Sequence, residues 1–387
     1  MAINLPTMRK FVSPEIIFGV GSRHSVGNYA EAFGASKVLV VSDPGVVAAG
    51  WVRDALVSLE ERDIDYVLYT NVTANPRSTE VMEGAALYNQ EHCNLIVAVG
   101  GGSPMDCAKG IGIVSSNGSN ILTYEGIDQI ALPIPPLIFI PTTAGTSADV
   151  SQFCIISDRN NLNKISIVSK SVVPDVSLID PETTSTMDRF LTACTGVDAM
   201  VHAIEAFVST GSGPLTDSYA LDAIEIIYAN LNGHIQTPDD INLREKIMLG
   251  SMKAGLAFSN AILGANHAMA HSLGGMKDLA HGLCNAILIE HVIDFNFSSV
   301  PDKFRVIAQK MNIDCRGLND SEVRNRIQTA VRQLKTDVGL RTTLAETGVS
   351  LSDIPILASK ALRDPCILTN PRHSNKRDVE AVYEEAL

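Results

Sequence analysis

Aromatic residues are scarce in this sequence. One Trp, eight Tyr and eleven Phe make up 5% of 387 residues, so its cores must be filled by aliphatic side chains, which a hydrophobic content of 45% supplies. Basic charge is short as well. Thirty Lys and Arg stand against 43 Asp and Glu, a formal net charge of −13, and a surface of that sign repels a phosphate backbone or an anionic bilayer. Neither a nucleic-acid partner nor a membrane partner is expected. The seven cysteines (Cys93, Cys107, Cys154, Cys194, Cys284, Cys315, Cys366) are odd in number, scattered, and include no Cys-x-x-Cys pair. That argues against a disulfide framework or a cysteine-rich zinc module and for a reducing compartment. Residues 1–11 contain no apolar core of a signal peptide. The apolar stretch Ile130–Pro141 carries Pro133, Pro135 and Pro136 and is too short to cross a bilayer. A cytoplasmic location is expected.

What is present is a change of pattern along the chain. Residues 37–43, 65–71, 95–103 and 137–143 are brief runs rich in Val and Ile that end in turn residues, as parallel strands buried on both faces do. Between them, residues 46–62 and 78–91 read as amphipathic crossover helices. Residues 153–157 and 164–169 flank Asp158-Arg159-Asn160-Asn161, a hairpin signal, and residues 176–180 read as a last strand. From Pro181 onward the patterns are helical, with loops at Gly211–Pro214, Thr237–Asn242 and Ser298–Pro301. The spacing predicts an α/β domain over 1–183 and an all-helical domain over 184–387.

Val99-Gly100-Gly101-Gly102-Ser103-Pro104 follows a buried strand and opens a helix. Glycines there let backbone approach a diphosphate, and the first N–H groups of the helix supply donors. A second loop, Pro141–Ser147, is rich in Thr and Gly and also ends a strand, where open α/β sheets bind ligands. Asp43 ends the first strand; a carboxylate there accepts hydrogen bonds from an adenosine ribose and repels a 2′-phosphate. The usual dinucleotide unit places its acid about 20 residues after the glycines, whereas Asp43 precedes them. The sheet is therefore Rossmann-like but built in a non-standard order.

In the helical half, Asp198 and His202 are four residues apart on a predicted helix whose polar stripe continues through Glu205 and Ser209. His267 and His271 form a second pair at the same spacing, and His281 follows ten residues later. Two such pairs and a further His point to a metal ion. Nitrogen and oxygen donors without thiolate suit Fe(II), Zn, Ni or Co. Such an ion is a Lewis acid for a substrate oxygen. Acidifying an alcohol in this way makes hydride departure to a nicotinamide feasible.

Four segments, GGGSPMDCAKG (100–110), PTTAGTSADV (141–150), TGVDAMVHAIEAF (195–207) and HAMAHSLGG…HGLCNA (267–286), resemble the iron-containing, or group III, alcohol dehydrogenases. The similarity extends to Asn370–Arg372 and is nearest to the 1,3-propanediol and lactaldehyde (propanediol) oxidoreductase branch. The resemblance implies a dehydroquinate-synthase-like fold and an NAD-dependent dehydrogenase or aldehyde reductase acting on small primary alcohols. It implies Asp198, His202, His267 and His281 as ligands of a divalent metal, with Fe(II) foremost, and His271 facing substrate or relaying a proton. It further implies an NAD site lined by Asp43, Asn71, Gly101, Gly102, Ser103, Asp106, Thr142, Thr143, Thr146 and Lys164, and a homo-oligomer of two or more chains. Asp149, Met276 and Ala280 depart from the family pattern. They leave open an alternative: a catalytically altered member that binds NAD and metal as a regulatory or sensor protein. A lyase acting on a sugar phosphate would need a basic pocket, and residues 251–291 offer only Lys253 and Lys277.

Overall fold

The computed structural model describes residues 10–161 and 163–387. Most of the segment in which no signal peptide was read, residues 1–9, and Leu162 lie outside the described residues. In chain order the first half comprises β1 (Glu15–Phe18), α1 (Val26–Ala32), β2 (Lys37–Val41), α2 (Pro44–Ala49), α3 (Trp51–Glu60), β3 (Asp65–Tyr69), α4 (Ser78–Gln90), β4 (Leu95–Gly100), α5 (Gly102–Asn117), β5 (Gly126–Ile127), β6 (Leu137–Pro141), β7 (Phe153–Asp158), β8 (Asn163–Val168) and β9 (Val176–Ile179). Helices follow: α6 (Arg189–Val208), α7 (Pro214–Gln236), α8 (Ile241–Ala261), α9 (Ala265–Lys277), α10 (His281–Phe297), α11 (Pro301–Lys310), α12 (Asp320–Val338), α13 (Ile354–Ala361) and α14 (Lys376–Ala386).

The continuous apolar runs become strands covered on both faces. Val38, Val40, Val97, Val99, Ile138 and Ile140 point to one side and pack with side chains of α1 and α3. Leu39, Val41, Ile96, Ala98 and Phe139 point to the other and pack with α4 and α5. Each fully buried Val or Ile contributes about 1.5–3 kcal/mol. The six strands are all parallel, in the order β1-β9-β6-β4-β2-β3. The chain runs outward from β2 to β3 and returns across β2 to β4, so the connections leaving β2 and β4 diverge and open a crevice at the carboxyl ends of the strands. Ser42 Oγ donates to Val99 O across it at 2.7 Å. This order explains why Asp43 and the glycines are neighbours in space but reversed along the chain.

A smaller sheet, β5-β8-β7, carries the antiparallel hairpin β7–β8. Two strands were not read from the sequence: β1, which takes its meaning from parallel pairing with distant β9, and the two-residue β5. The expected helix over 46–62 is two helices. Gly50 adopts φ +94°, a left-handed conformation that ends α2 before α3 begins.

In the helical half, α6 is buried from Thr192 to Val208 and packs against α7, α8 and α10. Its length and hydropathy would allow it to cross a membrane, but 89% of its apolar window is buried inside the protein, as befits a core helix. Two glycines set its contacts. A Cβ on Gly196 would lie 2.3 Å from Leu231 Cδ1 of α7, and one on Gly282 would lie 2.3 Å from the Cys194 carbonyl oxygen. Gly282 thus lets α10 rest directly on the α6 backbone.

Candidate metal centre and cofactor cleft

That close approach sets His281, the first residue of α10, opposite Asp198 on α6. Helix α9 brings His267 to the same point. One ligand atom from each of Asp198, His202, His267 and His281 lies within 4.8 Å of all the others. His267 Nε2 and His281 Nε2 are 3.8 and 3.6 Å from Asp198 Oδ1. Asp198, His202 and His267 are buried, and His281 is partly exposed toward the cleft. The i, i+4 pair Asp198–His202 therefore converges as its spacing predicts. His271 stands apart from the other four: its Nδ1 donates to Asp364 Oδ2 at 2.8 Å, while its ring stacks on His281 at 5.2 Å between centroids.

The donor set fits a cation on physical grounds. Burial holds the imidazoles of His202, His267 and His281 neutral, far below their usual range, with like-charge neighbours adding to the effect. Burial likewise pushes the Asp198 carboxyl up to about 7 and that of Glu205 up to about 8, against hydrogen bonds from Asn285 and from backbone N–H groups respectively. A divalent ion opposes both carboxyl shifts and takes its bonds from neutral imidazoles. Among the described residues, His202 Nδ1 is buried with no hydrogen-bond partner of standard geometry. Every donor is N or O, the set that suits Fe(II), Zn, Ni or Co.

Two residues not singled out in the sequence, Asn285 and Asp364, and Asn370 of the segment to which the family similarity extends, surround this cluster. Asn285 Nδ2 donates to Asp198 Oδ1 at 2.6 Å and lies 3.1 and 3.2 Å from the Nε2 atoms of His267 and His281. It sits four residues after His281, so the same helical spacing that paired the histidines would have found it. Asp364 has no such local signal, being far from His271 in the chain. Asn370 Oδ1 accepts from Ala265 N at 3.0 Å at the start of α9. Of the three departures from the family pattern, Asp149 is buried and accepts from Ser177 Oγ of β9 at 3.0 Å. Met276 packs at the edge of a helical core, and Ala280 caps α10. None of the three belongs to the four-residue donor group.

The candidate nucleotide residues gather at the carboxyl ends of the strands. Asp43 follows β2, Gly101 to Ser103 follow β4, and Thr142, Thr143 and Thr146 follow β6. A Cβ on Gly101 would lie 3.0 Å from Thr143 Cγ2, and one on Gly102 would lie 2.9 Å from Thr146 Oγ1, so the two loops are packed side by side. Gly145 rests against Thr195, one turn before Asp198 on α6; a Cβ there would lie 2.7 Å from Thr195 O. Asp106 lies on α5, where burial raises its carboxyl to about 7 against the pull of Lys109 and Lys164. Asn71 is exposed on the loop after β3. Four residues on, Asn75 N donates to Ser103 Oγ at 3.3 Å, and Asn75 Oδ1 accepts from Lys164 Nζ at 2.8 Å. Lys164, on β8, and His271, on α9, line one cavity of about 460 Å³ together with Ser272, Arg363 and Asp364.

Comparison with known proteins agrees with this geometry. Residues 13–181 match the family described as iron-containing alcohol dehydrogenase, and residues 192–387 match the C-terminal part of the Fe-containing alcohol dehydrogenase family. The chain is 37% identical over 382 residues to a 1,3-propanediol dehydrogenase of Citrobacter freundii, covering 98% of this chain and 99% of that one. It is 36% identical over 371 residues to the lactaldehyde reductase of Escherichia coli K12, covering 95% and 97%. The solved structure of a 1,3-propanediol oxidoreductase superimposes with a TM-score of 0.95 at 37% identity, covering 98% of this chain and all of that one. An NAD-dependent enzyme is among the relatives. These relatives are catalysts, and nothing among them favours the regulatory alternative. With both halves matched and the four donors brought together, the chain belongs to the iron-containing alcohol dehydrogenases, near the propanediol oxidoreductase branch of this family of NAD-dependent alcohol dehydrogenases and aldehyde reductases.

Proposed function

We propose that the physiological reaction interconverts a small primary alcohol and its aldehyde with NAD, that Asp198, His202, His267 and His281 hold divalent iron, and that His271 faces the substrate. The observation that carries this reading is the convergence of Asp198, His202, His267 and His281, whose ligand atoms lie within 4.8 Å of one another; His271, stacked on His281, lines a cavity with Lys164 of the nucleotide half. When bound, the cation supplies Lewis acidity to a substrate oxygen and the nicotinamide supplies a hydride acceptor. His271 Nδ1 is engaged by Asp364, which leaves Nε2 to take or return the hydroxyl proton. Gly101, Gly102 and Ser103 offer backbone and hydroxyl donors to the diphosphate at the start of α5. Thr142, Thr143 and Thr146 border that track, and Asp106, Lys164 and Asn71 complete the proposed NAD site, with Asp43 at the ribose. The residue-level division of the chain at 183/184, a cytoplasmic location and an assembly of two or more chains, without nucleic-acid or membrane partners, belong to the same proposal.

The test is anaerobic, iron-loaded protein mixed with NAD and a panel of short primary alcohols, followed at the NADH absorbance band. Turnover with at least one alcohol, abolished by chelation, is expected. No turnover with any alcohol, and none in the reverse direction with aldehydes and NADH, overturns the reading.

A further inference from the structure

We infer that Glu205 is a positioning residue that keeps the ring proton of His267 on Nδ1 and so leaves Nε2 free to ligate. The inference rests on reading Asp198, His202, His267 and His281 as a metal site. Glu205 lies on α6, three residues after His202, and is 2% exposed. Its Oε1 accepts from the backbone N–H of Asn266 at 2.6 Å. Its Oε2 accepts from the backbone N–H of His267 at 3.3 Å and lies 2.6 Å from His267 Nδ1. One carboxylate from a neighbouring helix thus satisfies donors in the first turn of α9 and grips the ring of that turn's third residue.

The local sequence is shaped for this contact. The residue preceding α9 is Gly264, which brings no side chain to cap the helix. A Cβ there would lie 2.8 Å from Glu205 Oε1 and 2.9 Å from Asn370 Oδ1, so the bare backbone is what admits the carboxylate. Asn370 takes the N–H of Ala265, and Glu205 takes the next two. Helix starts leave such donors unpaired, and negative charge is favourable there. Within the donor group, His267 has a buried carboxylate at hydrogen-bond distance from its Nδ1. A carboxylate behind a ligating imidazole fixes the tautomer and ring orientation of that imidazole, and its loss typically costs about 10- to 100-fold in metal affinity.

Glu205→Gln separates this role from simple packing. The amide has the same shape but a single acceptor oxygen. With that oxygen retained on Asn266 N–H, the NH₂ group faces His267 Nδ1, and the ring avoids two opposed donors by moving its proton to Nε2, where a ligand lone pair is required.

Full-length wild type and Glu205→Gln, both stripped of metal, are titrated anaerobically with Co²⁺ while the d–d band and the metal content per chain are followed. The ring tautomers of the metal-free proteins are read by ¹⁵N NMR at about pH 9, where the Glu205 carboxyl, pushed up to about 8 by burial, is ionised, and their thermal midpoints are compared. Expected are about one Co²⁺ per wild-type chain with the His267 proton on Nδ1, and for the variant an affinity about 10- to 100-fold weaker, the proton on Nε2 and a cooperative unfolding transition at a modestly lower midpoint. Wild-type affinity in Glu205→Gln overturns the inference, and so does a wild-type His267 protonated at Nε2. If the variant fails to fold, the wild-type tautomer decides alone. A wild type that takes up no Co²⁺ overturns the metal-site reading and this inference with it, whereas uptake by both proteins with equal affinity overturns only the role of Glu205.

Discussion

His271 and Asp364, 93 residues apart in the chain, meet at 2.8 Å between Nδ1 and Oδ2. Burial alone would raise the Asp364 carboxyl, but His271 and the Cys366 backbone outweigh it and hold the group below its usual range. The carboxylate orients the ring from behind, and the ring faces the cavity. His271→Ala is expected to retain wild-type metal content and to lose about 10²- to 10⁴-fold in kcat, the range for a positioned acid–base group. His267→Ala should lose the metal itself. Metal analysis beside steady-state kinetics separates the two, and full metal content in both variants would show that the pair has been assigned wrongly.

Asp43 commits one carboxyl oxygen to the fold and leaves the other for the proposed ribose contact. Its Oδ1 accepts from Gly45 N at 2.8 Å and Val46 N at 3.0 Å, capping α2, while Oδ2 accepts no hydrogen bond described within the protein. The turn-forming role and the ribose-binding role are therefore compatible. Glycine is a tolerable cap, so Asp43→Gly should cost only a few tenths of a kcal/mol, against about 1 kcal/mol for Asp43→Ala. Removing the carboxylate should raise kcat/KM for NADP relative to NAD by about tenfold, the size of one modest electrostatic contact of about 1.4 kcal/mol. Kinetics with both cofactors and urea midpoints check the two expectations together.

Gly282 holds α10 on α6. The Cβ of Gly282→Ala would meet the Cys194 carbonyl at 2.3 Å, and no rotamer change relieves a backbone clash. The helices must part, carrying His281 away from Asp198. A loss of about 1–3 kcal/mol in stability and reduced metal content are expected. Gly233→Ala is the control: its Cβ, on α7, would meet Leu243 Cδ1 of α8 at 3.6 Å, an ordinary van der Waals contact, and should be neutral or stabilising by up to about 1 kcal/mol. Calorimetry of both variants decides.

His234 is 3% exposed on α7, and its Nδ1 has no partner. Burial, followed by the nearby Arg244 charge, lowers its pKa to about 4. The folded ring stays neutral where the unfolded ring, at its usual 6.5, takes a proton. The unfolded state thus binds more protons between these values. Its contribution to stability is complete above 6.5 and is lost as pH falls toward 4. At about pH 5 the wild type should have lost about 2 kcal/mol through this one group. The pH dependence of the urea midpoint in His234→Leu should be shallower by that amount, and parallel curves would contradict the assignment.

How far the sequence reaches can be judged element by element. Strands β2, β4 and β6 announce themselves because both of their faces are covered, which demands unbroken Val and Ile. β1 has no such demand; among the described residues it is an edge strand of four residues paired with β9 alone. The break at Gly50 depends on one dihedral angle inside an otherwise helical pattern. The Asp198–His202 pair is legible from helical spacing, whereas the His267–His271 pair is split between the donor group and the cavity; the meeting of α6, α9 and α10 is set by what Gly282 and Gly264 allow to come close, and that is a matter of packing. Resemblance to the family, more than spacing, separated His271 from the other histidines. Asp364 and Asn75 act through distant partners and leave no local trace.

All four metal-type donors stand on α6, α9 and α10, whereas the crevice at β2 and β4 belongs wholly to the other half. The donor atoms themselves therefore all come from the helical half, although Gly145 of the second loop packs against α6. In the proposed reaction the coenzyme can therefore exchange without displacing any of the four donor side chains.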